Sequence, residues 1–408
     1  MQNPSRHFPP LLNPFAMHLY LHIPFCRQAC HYCDFHFSTS LRDKGKVVRA
    51  MVRELKMQKD YLPSDDLHTV YFGGGTPSLL SEKELATLMN AIKKQFHLKP
   101  DAEITMEANP DDLSETTLKM LVEQDVNRLS IGIQSFHDPH LRFMNRIHSA
   151  QEAEDSVRMA QDAGVTNLSV DLIYAIPAES DDILLRDIEK TLALGVEHIS
   201  AYALTVEPRT VFGNWTKTGK MAPIEDEFAA RQFEVLVSKL RAAGFDQYEI
   251  SNFAKNQKYS RHNSAYWQRR PYLGIGPSAH SYDGTSRQYN VSNNAAYLSG
   301  IKDKTLPITK EILTPEDQVN EYLLTGLRTK WGCRLELLQE LSGGRFLMQT
   351  GEEIFRLNEI GWLHSRDGLL LLTEKGKLFA DQVASRLFFE GGSGAPRGEE
   401  RKKGGEEN

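Results

Sequence analysis

The chain has little cysteine, no excess of positive charge and no long apolar run, and each shortage removes a class of function. Lysine and arginine total 48 against 54 aspartates and glutamates, a formal net charge of −6. The broad basic surface that grips a phosphate backbone is therefore not expected, and neither is a nucleic-acid partner. No stretch approaches the roughly 18 uninterrupted apolar residues of a spanning helix, so no integral membrane segment is expected. The opening MQNPSRHFPPLLNPFAMHLYLHIPF breaks its apolar residues with Pro, Asn and His, unlike a cleavable leader. Four cysteines occur in 408 residues, and Cys26, Cys30 and Cys33 fall close together. Such spacing points to metal binding in a reducing compartment rather than a disulfide framework, and a cytoplasmic location follows as an expectation.

What is present is an ordinary globular composition, 40% hydrophobic and 25% charged, in a chain long enough for more than one domain. After an N-terminal extension (1–14), residues 15–245 alternate β-rich runs with amphipathic helical segments. Strand candidates are 17–23, 69–74, 103–108, 128–134, 167–174 and 198–204, and one helix opens on a capping box, Ser81 to Glu84. Six β–α repeats imply an α/β fold with a parallel sheet, either doubly wound or curved into a partial (β/α)6 TIM-like barrel. Both place chemistry at the C-terminal strand ends. The cysteines, GGGTPS, EANP, Gln134 and Asp171 all fall there.

Residues 246–310 are rich in aromatics, Gly, Asn and Ser, and read as strands and long loops packed against the barrel mouth. Residues 311–389 predict helices and a hairpin around Arg366-Asp367-Gly368, a small winged-helix-like α+β domain. It has no basic recognition helix and reads as a packing module. The polar tail, 390–408, is expected to be disordered.

Cys26-Arg-Gln-Ala-Cys30-His-Tyr-Cys33 puts three thiols on one short loop. Thiolates suit iron–sulfur clusters, and a cubane held by three protein ligands keeps one iron open. A zinc site completed by His22, His31 or His36 is the alternative. Cys333, far along the chain, reads as a small buried hydrophobe. Gly73-Gly74-Gly75-Thr76 lets backbone approach a ligand closely. Glu107, Gln134, Arg146 and Asp171 supply polar groups at successive strand ends, together a ring suited to a zwitterion and a ribose.

The cysteine triplet resembles the signature of the radical S-adenosylmethionine (SAM) superfamily. That resemblance implies a [4Fe–4S] cluster whose open iron chelates SAM, and reductive cleavage of SAM to methionine and a 5′-deoxyadenosyl radical. HIPFC, YFGGGTPS, EANP, IGIQSF, DLIY and YEISNFAK, over roughly residues 17–385, resemble the branch of oxygen-independent coproporphyrinogen III dehydrogenase and its relatives. By that resemblance Tyr20, Gly74, Glu107, Gln134, Arg146 and Asp171 contact SAM. Gly75 and Thr76 match positions that serve a second SAM in the dehydrogenase.

Two departures separate this chain from the dehydrogenase. Phe35 stands where that enzyme has a fourth cysteine, and the cluster loop is reached after a shorter N-terminal extension. Both features resemble the heme chaperone (HemW) family. His262-Asn263-Ser264-Ala265-Tyr266-Trp267 is similar to the HNxxYW motif linked to heme binding there. A neutral imidazole can ligate heme iron, the aromatics offer flat apolar surface, and Arg261, Arg269 and Arg270 can pair with propionates. His280 is a second ligand candidate. The resemblance implies heme, an acceptor protein and an electron donor for the cluster as partners, and a homodimer. The competing expectations are oxidative decarboxylation of coproporphyrinogen III and radical SAM chemistry on an unrelated substrate.

Overall fold

The computed structural model describes residues 16–391. They form two compact units, one running to Ile312 and including Arg328–Trp331, the other made of Leu313–Leu327 and the residues from Gly332 onward.

In the first unit six strands lie parallel in chain order: β1 (Met17–Ile23), β2 (Asp66–Gly74), β3 (His97–Ala108), β4 (Arg128–Gln134), β5 (Asn167–Tyr174) and β6 (His198–Ala203). Helices α1 (Lys44–Met57), α2 (Glu82–Gln95) and α3 (Glu115–Glu123) make the first crossovers, α4 (Asp138–Phe143) and α5 (Ala150–Asp162) the fourth, and α6 (Asp182–Ala193) the fifth. The expected capping box opens α2: Ser81 Oγ accepts from the Glu84 amide while the Glu84 carboxylate accepts from the Ser81 amide. After β6 come α7 (Val211–Lys217) and α8 (Asp226–Ala242).

The sheet does not stop at six strands. The antiparallel pair β7 (Asp246–Glu249) and β8 (Asn252–Ala254) is added at β6. Past α9 (Arg261–Trp267), β9 (Tyr272–Ile275) pairs parallel with β1 at the opposite edge, and β10 (His280–Tyr282), β11 (Ser286–Asn290) and β12 (Ile308–Ile312) continue antiparallel beyond it. The strands expected within residues 246–310 extend both edges of a 12-stranded sheet, the last of them running to Ile312. Buried Glu54 of α1 ties this extension down. It accepts from the Gly276 amide at 2.8 Å, Asn290 Nδ2 at 2.7 Å and Tyr297 Oη at 2.5 Å, Tyr297 belonging to α10 (Asn294–Lys302).

Alternation along the strands sorts two faces. Leu19, Leu21, Val70, Phe72, Ile104, Met106, Leu129, Ile131, Val170 and Leu172 are buried and apolar. Their alternates are polar: His18 and Tyr20, Thr69 and Tyr71, Thr105 and Glu107, Arg128 and Ser130, Ser169 and Asp171, His198 and Ser200. These polar side chains bond one another across strands, as in His18–Thr69, Tyr71–Glu107, Ser130–Asp171 and Ser169–His198. One face is thus a hydrocarbon core and the other a hydrogen-bonded polar lining.

The second unit holds α11 (Pro315–Gly326), β13 (Cys333–Arg334), α12 (Leu335–Leu341), α13 (Phe346–Glu359), β14 (Leu363–Arg366), β15 (Leu369–Leu372) and α14 (Ala380–Arg386). Asp367 and Gly368, both at positive φ, make the tight β14–β15 turn. Val319, Leu323, Leu338, Phe346, Leu357 and Leu370 fill its core, and Cys333 is packed among them with Sγ 3.2 Å from the Tyr322 carbonyl. No described helix is long and apolar enough to cross a membrane.

Candidate functional site: a cysteine loop above a polar lining

The three-cysteine loop leaves β1 and is fastened from several sides. Cys26 N donates to Ser38 O at 3.1 Å, and His31 N donates to Met144 O at 3.1 Å. Asn145, held at φ 61, donates through Nδ2 to Ala29 O at 2.7 Å and accepts at its own carbonyl from Gln28 Nε2 at 2.8 Å. Arg27 Nε donates to Asp112 at 2.8 Å, and Ser78 Oγ donates to the same carboxylate at 3.0 Å. A polar loop of this length stays ordered because its backbone groups are paired in this way.

All three cysteines are free and partly accessible. Burial, and then the neighbouring Cys30 sulfur, raise the Cys26 and Cys33 thiols, Cys33 to about 11. Three sulfurs close enough to repel as thiolates are what a polynuclear cluster with a positive core neutralises. Among the described residues no three Cys, His, Asp or Glu side chains converge tightly enough for a single ion. The histidines of the zinc alternative are engaged elsewhere: His22 with Tyr20 and the His36 carbonyl, His31 with the Phe143 carbonyl, His36 with Asn294. The donor set fits a [4Fe–4S] cluster on Cys26, Cys30 and Cys33, with one iron left for another ligand.

Arg146 joins this loop to the sheet. Its Nη1 donates to Cys30 Sγ at 3.5 Å, while Nη2 donates to Asn109 Oδ1 at 2.6 Å and Gly132 O at 2.8 Å. Asn109 in turn donates to Thr76 Oγ1 at 3.2 Å. Glu107 accepts from Tyr71 Oη at 2.8 Å and from the Gly74 amide at 3.1 Å. Its burial, with the Asp171 charge adding to it, pushes its carboxyl up to about 7. Asp171 accepts from Ser130 Oγ at 3.0 Å and is itself raised by burial. Gln134 sits at φ 68 where β4 breaks register, and the next residues are pinned by Asp187, which accepts from Ser135 Oγ at 2.6 Å and Phe136 N at 2.8 Å. Tyr20 donates to or accepts from His22 Nδ1 at 3.1 Å and stacks on Tyr71.

The glycine run has a reason beyond ligand approach. A Cβ on Gly75 would stand 2.7 Å from the Phe25 carbonyl oxygen, and one on Gly74, at φ 109, would stand 2.7 Å from the His22 ring. The Gly75 and Thr76 amides donate to Ile23 O at 2.9 Å and Phe25 O at 2.7 Å. Both residues are occupied in clamping the cysteine loop against β2.

His262 lies away from the cysteine end. Its Nδ1 is 2.7 Å from Thr69 Oγ1, its ring lies 4.9 Å from that of Tyr71, and burial holds it neutral, pushed down to about 3. The Arg261 and His262 amides donate to Glu103 at 3.1 and 3.0 Å, fixing the start of α9. Tyr266 is exposed on this helix. Of the three arginines expected to meet propionates, Arg261 pairs with Asp101 and Arg269 donates to Tyr282 Oη. His280 stacks on Tyr289, apart from His262. The motif reading overlooked Arg128, Asn109, Asp112, Tyr71 and Asp187. For Arg128 and Tyr71, alternation along β4 and β2 is a signal that could have found them.

Residues 20–191 match the radical SAM superfamily, and residues 313–379 match the HemN C-terminal domain family. The chain is 38% identical to heme chaperone HemW of Bacillus subtilis over 91% of its own length and 99% of that protein. The corresponding values for heme chaperone HemW of Escherichia coli are 33%, 91% and 98%. The chain belongs to the HemW family of radical SAM proteins. A bovine mitochondrial radical S-adenosyl methionine domain-containing protein 1 is 38% identical over 79% of the chain and 71% of that protein. In fold it is similar to the solved coproporphyrinogen III oxidase (HemN) of Escherichia coli, at a TM-score of 0.78 and 20% identity over 91% of this chain and 90% of that one. Membership makes a [4Fe–4S] cluster and SAM the cofactors of this fold, and the HemN likeness supports a partial barrel for the curved sheet.

Proposed function

We propose that this protein is a heme chaperone, binding heme and passing it to an acceptor protein. The observation that carries the reading is full-length similarity to proteins named heme chaperone HemW, together with the exposed Phe35 at the position of the dehydrogenase's fourth cysteine. Cys26, Cys30 and Cys33 hold the cluster. Tyr20, Gly74, Glu107, Gln134, Arg146 and Asp171 orient SAM beside it, Glu107 offering a carboxylate to its ammonium group and Arg146 a cation to its carboxylate. The cluster, fed by an electron donor, supplies reducing power that can cleave SAM. Neutral His262 supplies an imidazole for heme iron, as a ligating nitrogen must be unprotonated. The reading places the protein in the cytoplasm, as a homodimer, without coproporphyrinogen dehydrogenase activity.

Heme titration into anaerobically reconstituted protein tests it. A saturable Soret band that weakens or shifts in His262→Ala is expected; an identical spectrum in that variant would remove His262 as the ligand. The dehydrogenase reading is favoured by the shared branch motifs, the HemN C-terminal domain match and the likeness in fold to HemN.

A further inference from the structure

Arg128 opens β4 on the polar face and is 1% exposed. Its Nε has no hydrogen-bond partner, and no carboxylate among the described residues pairs with it. A further orphaned polar atom lies on the neighbouring strand: Thr105 Oγ1, directly opposite Arg128 in register. The charge of Arg128 is felt by Tyr71, Glu107, Asp171, His198, Tyr248 and His262, which come from six different elements. The guanidinium therefore sits centrally, at the floor of the polar lining. Exposure falls along this lining from Tyr202, 46% accessible near the C-terminal end of β6, through His262 at 9% to Arg128 at 1%.

A guanidinium out of water without a hydrogen-bonded counter-ion is costly, and buried charges are ordinarily paired. The acids around it do not serve as its partners: Glu107 is bonded to Tyr71 and Gly74, Asp171 to Ser130 and Ser169, and Glu103 to the Arg261 and His262 amides. The SAM carboxylate does not serve either. Arg128 lies six residues along β4 from Gln134, roughly 20 Å at the rise of a strand, while the cysteine loop and Arg146 are at the Gln134 end.

We propose that Arg128, with Thr105 beside it, forms a carboxylate-binding subsite at the barrel floor, which receives an acidic arm of the bound macrocycle. This rests on the heme reading and specifies how the ligand is oriented: acid inward, on Arg128, next to His262. It replaces Arg261, Arg269 and Arg270 as the propionate partner.

The test compares heme with its dimethyl ester, whose acid groups are masked, on reconstituted wild type, Arg128→Gln and Arg128→Lys. Wild type is expected to bind the diacid at least roughly tenfold more tightly than the diester, as a charged hydrogen bond would give. Arg128→Gln should reduce that ratio to about one, and Arg128→Lys should keep part of it, with SAM binding unchanged in both. A diacid preference that survives in Arg128→Gln overturns the subsite. A second arm uses sodium propionate against sodium chloride, read as the melting temperature. The propionate-specific rise in wild type should vanish in Arg128→Gln. If wild type took up neither porphyrin, the heme reading would fall while this second arm still judged the anion site. An unchanged propionate response in Arg128→Gln, or none in wild type, counts against it. The ligand-free Arg128→Met variant should melt no lower than wild type, since it removes an unpaired buried charge. A marked drop would make Arg128 a structural partner of Glu107 and Asp171 instead.

Discussion

Arg146 reaches across from the loop after α4 to place Nη1 3.5 Å from the Cys30 sulfur, while its second terminal nitrogen holds Asn109 and Gly132. One guanidinium thereby couples the cluster loop to the ends of β3 and β4. Lysine cannot reproduce this fork. Arg146→Lys is expected to shift the cluster midpoint to a more negative potential, because a positive donor beside a ligand sulfur favours the reduced state. SAM affinity should fall about 10–100-fold, as the weakening of a charged hydrogen bond to its carboxylate would give. Anaerobic redox titration by EPR, with equilibrium SAM binding, measures both. An unchanged midpoint would dissociate Arg146 from the cluster.

Glu107 makes stability depend on pH in a defined direction. Its carboxyl is raised from the usual 4.5 to about 7 in the folded chain, burial being the main cause. Between these values the folded protein holds a proton that the unfolded chain has released. Stability should therefore fall as pH rises from about 4.5 to about 7 and then level off. The full contribution is about 3 kcal/mol. Urea denaturation of wild type and Glu107→Gln at pH 5 and pH 8 isolates it: the variant should gain on wild type at pH 8 by about this much relative to pH 5.

Gly75 is needed for the cysteine loop rather than for flexibility. A methyl group there meets the Phe25 and Ile23 carbonyl oxygens at 2.7 and 2.9 Å. Gly75→Ala should therefore displace the strap between β1 and β2, costing about 1–3 kcal/mol of stability as overpacking does. Iron bound per chain after reconstitution should fall with it. Full iron loading in that variant would contradict the clamp.

Asp187 holds the turn that follows Gln134 through two short hydrogen bonds. Asp187→Ala leaves a buried hydroxyl and a backbone amide without their acceptor, at about 2–3 kcal/mol in chemical denaturation. Asp187→Asn, which keeps an acceptor, should lose less. SAM affinity should fall in the same order if the turn sets the Gln134 side chain.

The cluster loop, the six parallel strands and the polar residues at their ends were legible because each is a local pattern. Cysteine spacing, alternation and the positions of glycine need no knowledge of distant contacts. The edge strands were not legible in the same way. β9 joins β1 through a parallel pairing far apart in the chain, and short runs such as YLGI and HSY carry little local strand signal. His262 was recognised by motif, but its position on the Thr69 and Tyr71 side of the sheet depends on where α9 docks. Arg128 was passed over because RLSIGIQ reads as a strand whichever way its first residue faces. Alternation along β4 puts it on the polar face, and its burial with Nε unpartnered marks it out there.

Parallel titration of anaerobically reconstituted protein with heme and with coproporphyrinogen III tests the assigned role most directly. Saturable heme uptake with a Soret band, and no decarboxylated product from the porphyrinogen, is the expected result. Conversion of coproporphyrinogen III to protoporphyrinogen without heme uptake would contradict it.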